Sequence, residues 1–190
     1  MKTKIKPWMI ILGIVILLAL WVGGTYNRLV SLSGSVDGQW ANVQSQYQRR
    51  IDLIPNLVNT VKGYAKHEEG LFTEITELRS QWQANINKGD VQGQQSTIVN
   101  MESALARLLV VVENYPQLKA NENFLSLQDA LEGTENRIAV ERQRYNDAVK
   151  NYNIRIKKVP TNMIANLFDF ESRAYFESQP NADKVPTVEF

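Results

Sequence analysis

From Trp8 to Val22 the chain reads WMIILGIVILLALWV without a charge, and Gly23–Gly24 prolong the run. As a helix, Trp8–Gly24 would rise ~1.5 Å per residue, roughly 25 Å in all, the short end of what a bilayer's hydrocarbon core requires. A helix apolar on every side has no face to turn toward water, whereas lipid asks for none. Trp8 and Trp21 stand at its two ends, where indole rings settle in the headgroup layer, with Ile11 and Leu18 among the lipid-facing residues between them. The run predicts a transmembrane anchor over residues 8–25. A cleaved signal peptide competes with it, since Val22-Gly23-Gly24 resembles a small-residue cleavage site. A buried helix of a soluble core is the third reading. The length of the run and the bulk of Leu20 and Trp21 favour the uncleaved anchor.

Charge gives the anchor a direction. Lys2, Lys4 and Lys6 precede it, only Arg28 follows closely, and the first acidic residue is Asp37. The positive-inside rule then keeps residues 1–7 in the cytoplasm and carries the rest of the chain to the outer side. Of 21 basic residues, 18 remain after those lysines, against 20 acidic ones. That body lacks the broad basic footprint of a nucleic-acid binder, and nucleic acid is set aside as a partner. Cysteine is absent, which excludes disulfides, thiolate metal ligands, cysteine nucleophiles and a lipoprotein anchor.

Beyond Thr25 the apolar residues advance by threes and fours: Leu29, Leu32, Val36, Trp40, Val43, Tyr47, Ile51, Ile54, Val58, Val61 and Ala65. Their mean step of about 3.6 residues is that of a straight amphipathic helix. Pro55 lies inside it and is expected to bend or break it, because proline lacks the N–H and crowds the preceding turn. A turn is expected at His67-Glu68-Glu69-Gly70. A second stripe, Leu71, Ile75, Leu78, Trp82 and Ile86, ends at Lys88-Gly89-Asp90. The third comprises Ile98, Met101, Leu105, Leu108 or Leu109, Val112 and Tyr115, closed by Pro116. The fourth runs from Phe124 through Leu127, Leu131, Thr134, Ile138, Tyr145, Val149 and Tyr152 to Ile156, before Pro160. Long amphipathic helices joined by short connections imply an all-α fold, an antiparallel up-and-down four-helix bundle over residues 26–170. Within that span Met163, Ile164, Leu167, Phe168 and Phe170 suggest a short apolar helix, docked on the bundle or dipping into the membrane interface. Residues 171–190 hold two prolines and no helical period, so they read as an extended or disordered tail.

Chemistry is sparse. His67 is the only histidine, and its neighbours Glu68 and Glu69 fan around a helix rather than converge on a metal. The sequence contains no HExxH, no phosphate-cradling glycine loop, no G-x-S-x-G and no Glu-x-x-His pair of the kind that holds metal in bundles. Glu74/Glu77 and Glu132/Glu135 lie three apart among polar neighbours, which points them outward. No catalytic, cofactor or metal residue is assigned, no cofactor is expected, and no small-molecule substrate is identified. Two constellations remain. Arg49, Arg50, Asp52, Pro55, Asn56 and Asn59 cannot all face a core. They either specify helix register through buried polar contacts, each worth ~1–3 kcal/mol if left unpaired, or present a face to a partner. Arg155, Lys157 and Lys158, with Arg142 and Arg144 before them, load the end of the fourth helix with cations. These complement the helix dipole or touch lipid phosphates, at ~1 kcal/mol each near an anionic surface.

The stretch YNRLVSLSGSVDGQWANVQSQYQRRIDLIPNLVNTVKGYAKHE (Tyr26–Glu68), with RRIDLIPNLV at its heart, resembles the LemA family of bacterial membrane proteins. So do LKANENFLSLQDALEGTENRIAVERQRYNDAVKNYN (Leu118–Asn153) and FESRAYFE (Phe170–Glu177). The resemblance covers nearly everything after the anchor. It implies an N-terminal transmembrane helix and an antiparallel four-helix bundle, in agreement with the periodicity, and it supplies no reaction and no catalytic residues. The resulting expectation is a non-enzymatic, single-pass protein of the bacterial inner membrane whose extracytoplasmic bundle meets a protein partner or a second copy of itself. A membrane-remodelling or lipid-surface scaffold, and an envelope enzyme subunit using carboxylates in a cleft, are the alternatives.

Overall fold

The computed structural model describes residues 7–176. The three lysines before Pro7 and the tail beyond Phe176 lie outside the described residues. Among the described residues six helices occur in chain order: α1 Pro7–Lys62, α2 Glu69–Lys88, α3 Val91–Glu113, α4 Pro116–Lys119, α5 Glu122–Lys157 and α6 Thr161–Leu167. No strand is found among the described residues. The fold is all-α, and α1 carries the apolar run at its start.

The chain divides into two compact units, residues 1–41 with 143–175, and residues 42–142 with 176–190. In the second, contacts along the helices fix their directions. Gln44 and Arg50 of α1 meet Gln94 and Glu102 of α3, so these two helices run parallel. Gln48 meets Trp82 of α2 while Lys62 lies over Phe72, so α2 opposes α1. Arg50 meets Glu135 of α5 while Tyr64 just beyond α1 meets Asn121 just before α5, so α5 opposes α1 as well. That is an up-and-down four-helix arrangement. Its core takes Val43, Ile51, Ile54, Val58 and Val61 from α1, with Ile75, Leu78, Trp82, Ile98, Met101, Leu105, Leu108 and Ile138 from the other helices. The 3.6-residue stripe produces this burial directly, since one face of each helix is apolar and only another helix can cover it. Leu57, Phe72 and Leu118 join the core from outside the expected stripes, and of the pair Leu108/Leu109 it is Leu108 that is buried.

The breaks have local causes. Gly89 adopts φ +66°, its N–H donating to Ile86 and that of Asp90 to Asn85, which ends α2 in a left-handed cap. The Asp90 carboxylate accepts the Gly93 N–H at 2.9 Å and so starts α3. Asn121 caps α5 in the same way by accepting from Phe124 at 3.1 Å. α1, by contrast, continues through Pro55 and stops at Lys62. The interruption falls at residues 63–68, and Gly70 belongs to the first turn of α2.

The first unit pairs the early part of α1 with the late part of α5. The Trp40 ring lies 5.2 Å from that of Tyr145, and Leu29, Val36, Val149, Tyr152 and Ile156 are buried. α6 follows and ends in another left-handed cap. Asp169 has φ 54°, and the Phe170 N–H reaches back to the Ala165 carbonyl at 2.9 Å.

Candidate functional site

The N-terminal part of α1 buries almost nothing. Trp8, Ile11, Leu18 and Trp21 are 59%, 63%, 55% and 42% exposed, and Thr25 is the first buried residue among those described. This is a helix long and apolar enough to cross a membrane, leading without interruption into residues that pack a core.

The six residues singled out around Pro55 separate by face. Arg49, Asp52, Asn56 and Asn59 are exposed, Asp52 accepting a hydrogen bond from Gln48 one turn earlier. Arg50 alone turns into the bundle. Its Nη1 sits 2.5 Å from Glu135 and 3.8 Å from Glu102. Glu102 also accepts from the Tyr47 hydroxyl at 3.0 Å and lies 3.9 Å from the Arg142 guanidinium. Burial, reinforced by the Glu102 charge, pushes the Tyr47 hydroxyl above its usual range, so it serves as a donor. The Phe176 ring covers this group, 4.2 Å from the Arg142 guanidinium and stacked at 6.3 Å on Tyr47. Glu102 on α3 thus holds one hydrogen bond from a phenol and stands close to a cation on each of α1 and α5.

Pro55 and Asn59 line an open groove of about 520 Å³ with Ile54, Val58, Phe72 and Arg79. Glu74 pairs with Arg107 across α2 and α3, while Glu132 accepts from Gln128 on its own helix. Among the described residues no three His, Asp or Glu side chains gather to hold a metal. His67 lies exposed in the turn between α1 and α2.

In the first unit an extended strap, residues 170–176, is tied down by side chains. The Asn153 amide donates to the Arg173 carbonyl at 2.8 Å and accepts its N–H at 2.9 Å. The Tyr145 hydroxyl donates to the Ala174 carbonyl, and the Arg173 guanidinium reaches Asp37 at 3.4 Å. Lys157 and Lys158 are exposed at the end of α5, and Arg155 is half-buried.

Residues 39–190 match the LemA family, four-fifths of the chain. The chain belongs to the LemA family. Among its relatives, the magnetosome proteins MamQ 1 and MamQ 2 of Paramagnetospirillum magneticum are each 29% identical over 181 residues, covering 83% of this chain and 66% of theirs. The protein LemA of Metamycoplasma hominis is 25% identical over 156 residues, covering 82% of this chain and 70% of its own. This LemA-family chain thus spans just under two thirds of the length of the MamQ relatives.

Sequence reasoning missed Glu102, Asn153 and Phe176. A single acid in a helix gives no periodic signal. Phe176 had one, being aromatic in a stretch otherwise poor in apolar residues, but the prolines beyond it drew the whole segment into a tail. Gln94, 1% exposed, was missed for the same reason as Glu102. It accepts from Gln44 at 2.6 Å and donates to the Asn85 carbonyl, so its polarity is spent inside the bundle.

Proposed function

We propose that this protein is a single-pass, membrane-anchored interaction scaffold of the bacterial envelope, without catalytic activity. Its division would be a short cytoplasmic N-terminus (1–7), an anchor (8–25), a helical body (26–170) and a C-terminal tail (171–190) whose first residues pack as a strap. The observation that carries this reading is the uninterrupted passage of α1 from a segment exposed on every face to one that packs a core. Water gives the first segment no reason to be helical and bare, whereas lipid does. The three leading lysines support a cytoplasmic N-terminus and an extracytoplasmic body. The exposed Asn56 and Asn59, beside the groove at Pro55, offer a face for a protein partner or a second copy. The MamQ relatives carry the name of magnetosome proteins, which is compatible with this reading.

Photo-crosslinking from Asn56 and Asn59 in living cells tests the reading. Reproducible adducts at these positions, absent from the exposed Asn136 of α5, are expected. No adduct at either position, with the protein present in the membrane, contradicts it.

The second reading is a lipid-surface scaffold working through Arg155, Lys157, Lys158 and α6. The exposure of Met163 and Leu167 at 69% and 70% favours it as an added property.

A further inference from the structure

The apolar residues of α6 have an address. Ile164 and Ala165 are buried, but Met163 and Leu167, one turn apart on the opposite face, are 69% and 70% exposed, and Val159 just before the helix is 79% exposed. Three large aliphatic side chains in a short segment are costly to keep in water, at ~25 cal/mol per Å² of apolar surface. What fixes their position is Phe168. Its ring lies 4.8 Å from that of Tyr26, and Phe170 follows at 5.7 Å on the same tyrosine. Tyr26 is four residues past Val22, where the charge-free run ends before its two glycines, hence about 6 Å farther along α1. The headgroup layer on each side of a bilayer is about 5–7 Å deep. α6 is therefore held, inside one compact unit, at the level where the anchor would leave the hydrocarbon. Lys157 and Lys158, exposed two to three residues before Pro160, stand at the end of α5 that leads into α6.

We propose that α6 is a second membrane contact: Val159, Met163 and Leu167 insert into the interface of the same bilayer that α1 crosses, with Lys157 and Lys158 on its phosphates. This rests on the reading of α1 as an anchor. Two contacts, one spanning and one interfacial, fix the rotation of the first unit about the anchor axis, which one helix alone leaves free. The occupant is lipid because the surface is continuous with the anchor through Tyr26 and Phe168, and because it joins aliphatic tips to cations, the composition of an interfacial segment.

The absence of cysteine makes the test direct. Full-length protein carrying one of Leu18→Cys, Gly38→Cys, Met163→Cys or Leu167→Cys is labelled with an environment-sensitive fluorophore. It is reconstituted in phosphatidylcholine–phosphatidylglycerol vesicles holding nitroxide lipids, shallow or deep. Gly38, exposed and about 18 Å beyond Tyr26 along α1, serves as the aqueous reference. Labels at 163 and 167 are expected to be blue-shifted and quenched most by the shallow nitroxide, the label at 18 by the deep one, and that at 38 by neither. Labels at 163 and 167 as unquenched as that at 38, with 18 still quenched, overturn the second contact and leave the anchor standing. Blue-shifted labels that no lipid nitroxide quenches overturn it too, since protein then covers the face. An unquenched label at 18 removes the anchor, and the second contact with it.

Discussion

Single side chains hold the strap and the bundle interior in register. Asn153 is 7% exposed and spends its amide on both backbone groups of Arg173, as a neighbouring strand would. Asn153→Leu should loosen residues 171–176 while leaving the helices intact, at a cost of roughly 1–3 kcal/mol for two bonds. Hydrogen exchange confined to those amides would check it. Glu102 and Glu135 both contact Arg50, but their side chains are 15% and 50% exposed. Glu102→Gln should cost about 1–3 kcal/mol, because it takes the charged acceptor from the buried Tyr47 hydroxyl and weakens a poorly solvated polar cluster. Glu135→Gln should cost less, within about 1 kcal/mol, as water reaches its half-exposed carboxylate and screens the pair. Urea unfolding of the two variants decides between them, and equal losses would contradict the burial argument.

At the scale of the element, Pro55 is the clearest conflict between local preference and fold. It sits inside α1 without the N–H that would bond the Ile51 carbonyl, yet the helix continues. Ile51, Ile54, Leu57 and Val58 around it are all buried, so packing on both sides holds the turn together. Pro55→Ala should therefore stabilise the protein by about 1–3 kcal/mol, read as a higher unfolding midpoint. The helices themselves were legible in the sequence. The stripe from Leu29 to Ala65 is buried at every position except Leu32, which is half-buried. The stop at Lys88-Gly89-Asp90 is the observed cap, because glycine alone takes φ +66° cheaply. Illegible were the contacts made by lone polar residues and the docking of residues 170–176. Their partners lie far along the chain, and a local pattern records only what repeats nearby.

For the whole molecule, three buried tyrosines tie stability to alkaline pH. Tyr47, Tyr145 and Tyr152 each hold their proton more tightly than a free phenol, burial being the main cause. The folded state thus stays protonated where the unfolded chain ionises, near pH ~10. Stability should be unaffected by these groups below that pH and fall as pH rises beyond it. Tyr47→Phe should make the fall shallower, as urea midpoints above pH ~10 would reveal.

Membrane insertion is the claim on which sidedness, partners and the second contact all depend. Single-cysteine variants at Lys4, Leu18 and Gly38, exposed to an impermeant maleimide in intact and in permeabilised spheroplasts, measure it most directly. A spanning α1 predicts labelling of Gly38→Cys from outside, of Lys4→Cys only after permeabilisation, and of Leu18→Cys in neither. Labelling of Leu18→Cys from water, or of Lys4→Cys and Gly38→Cys from the same side, would contradict it.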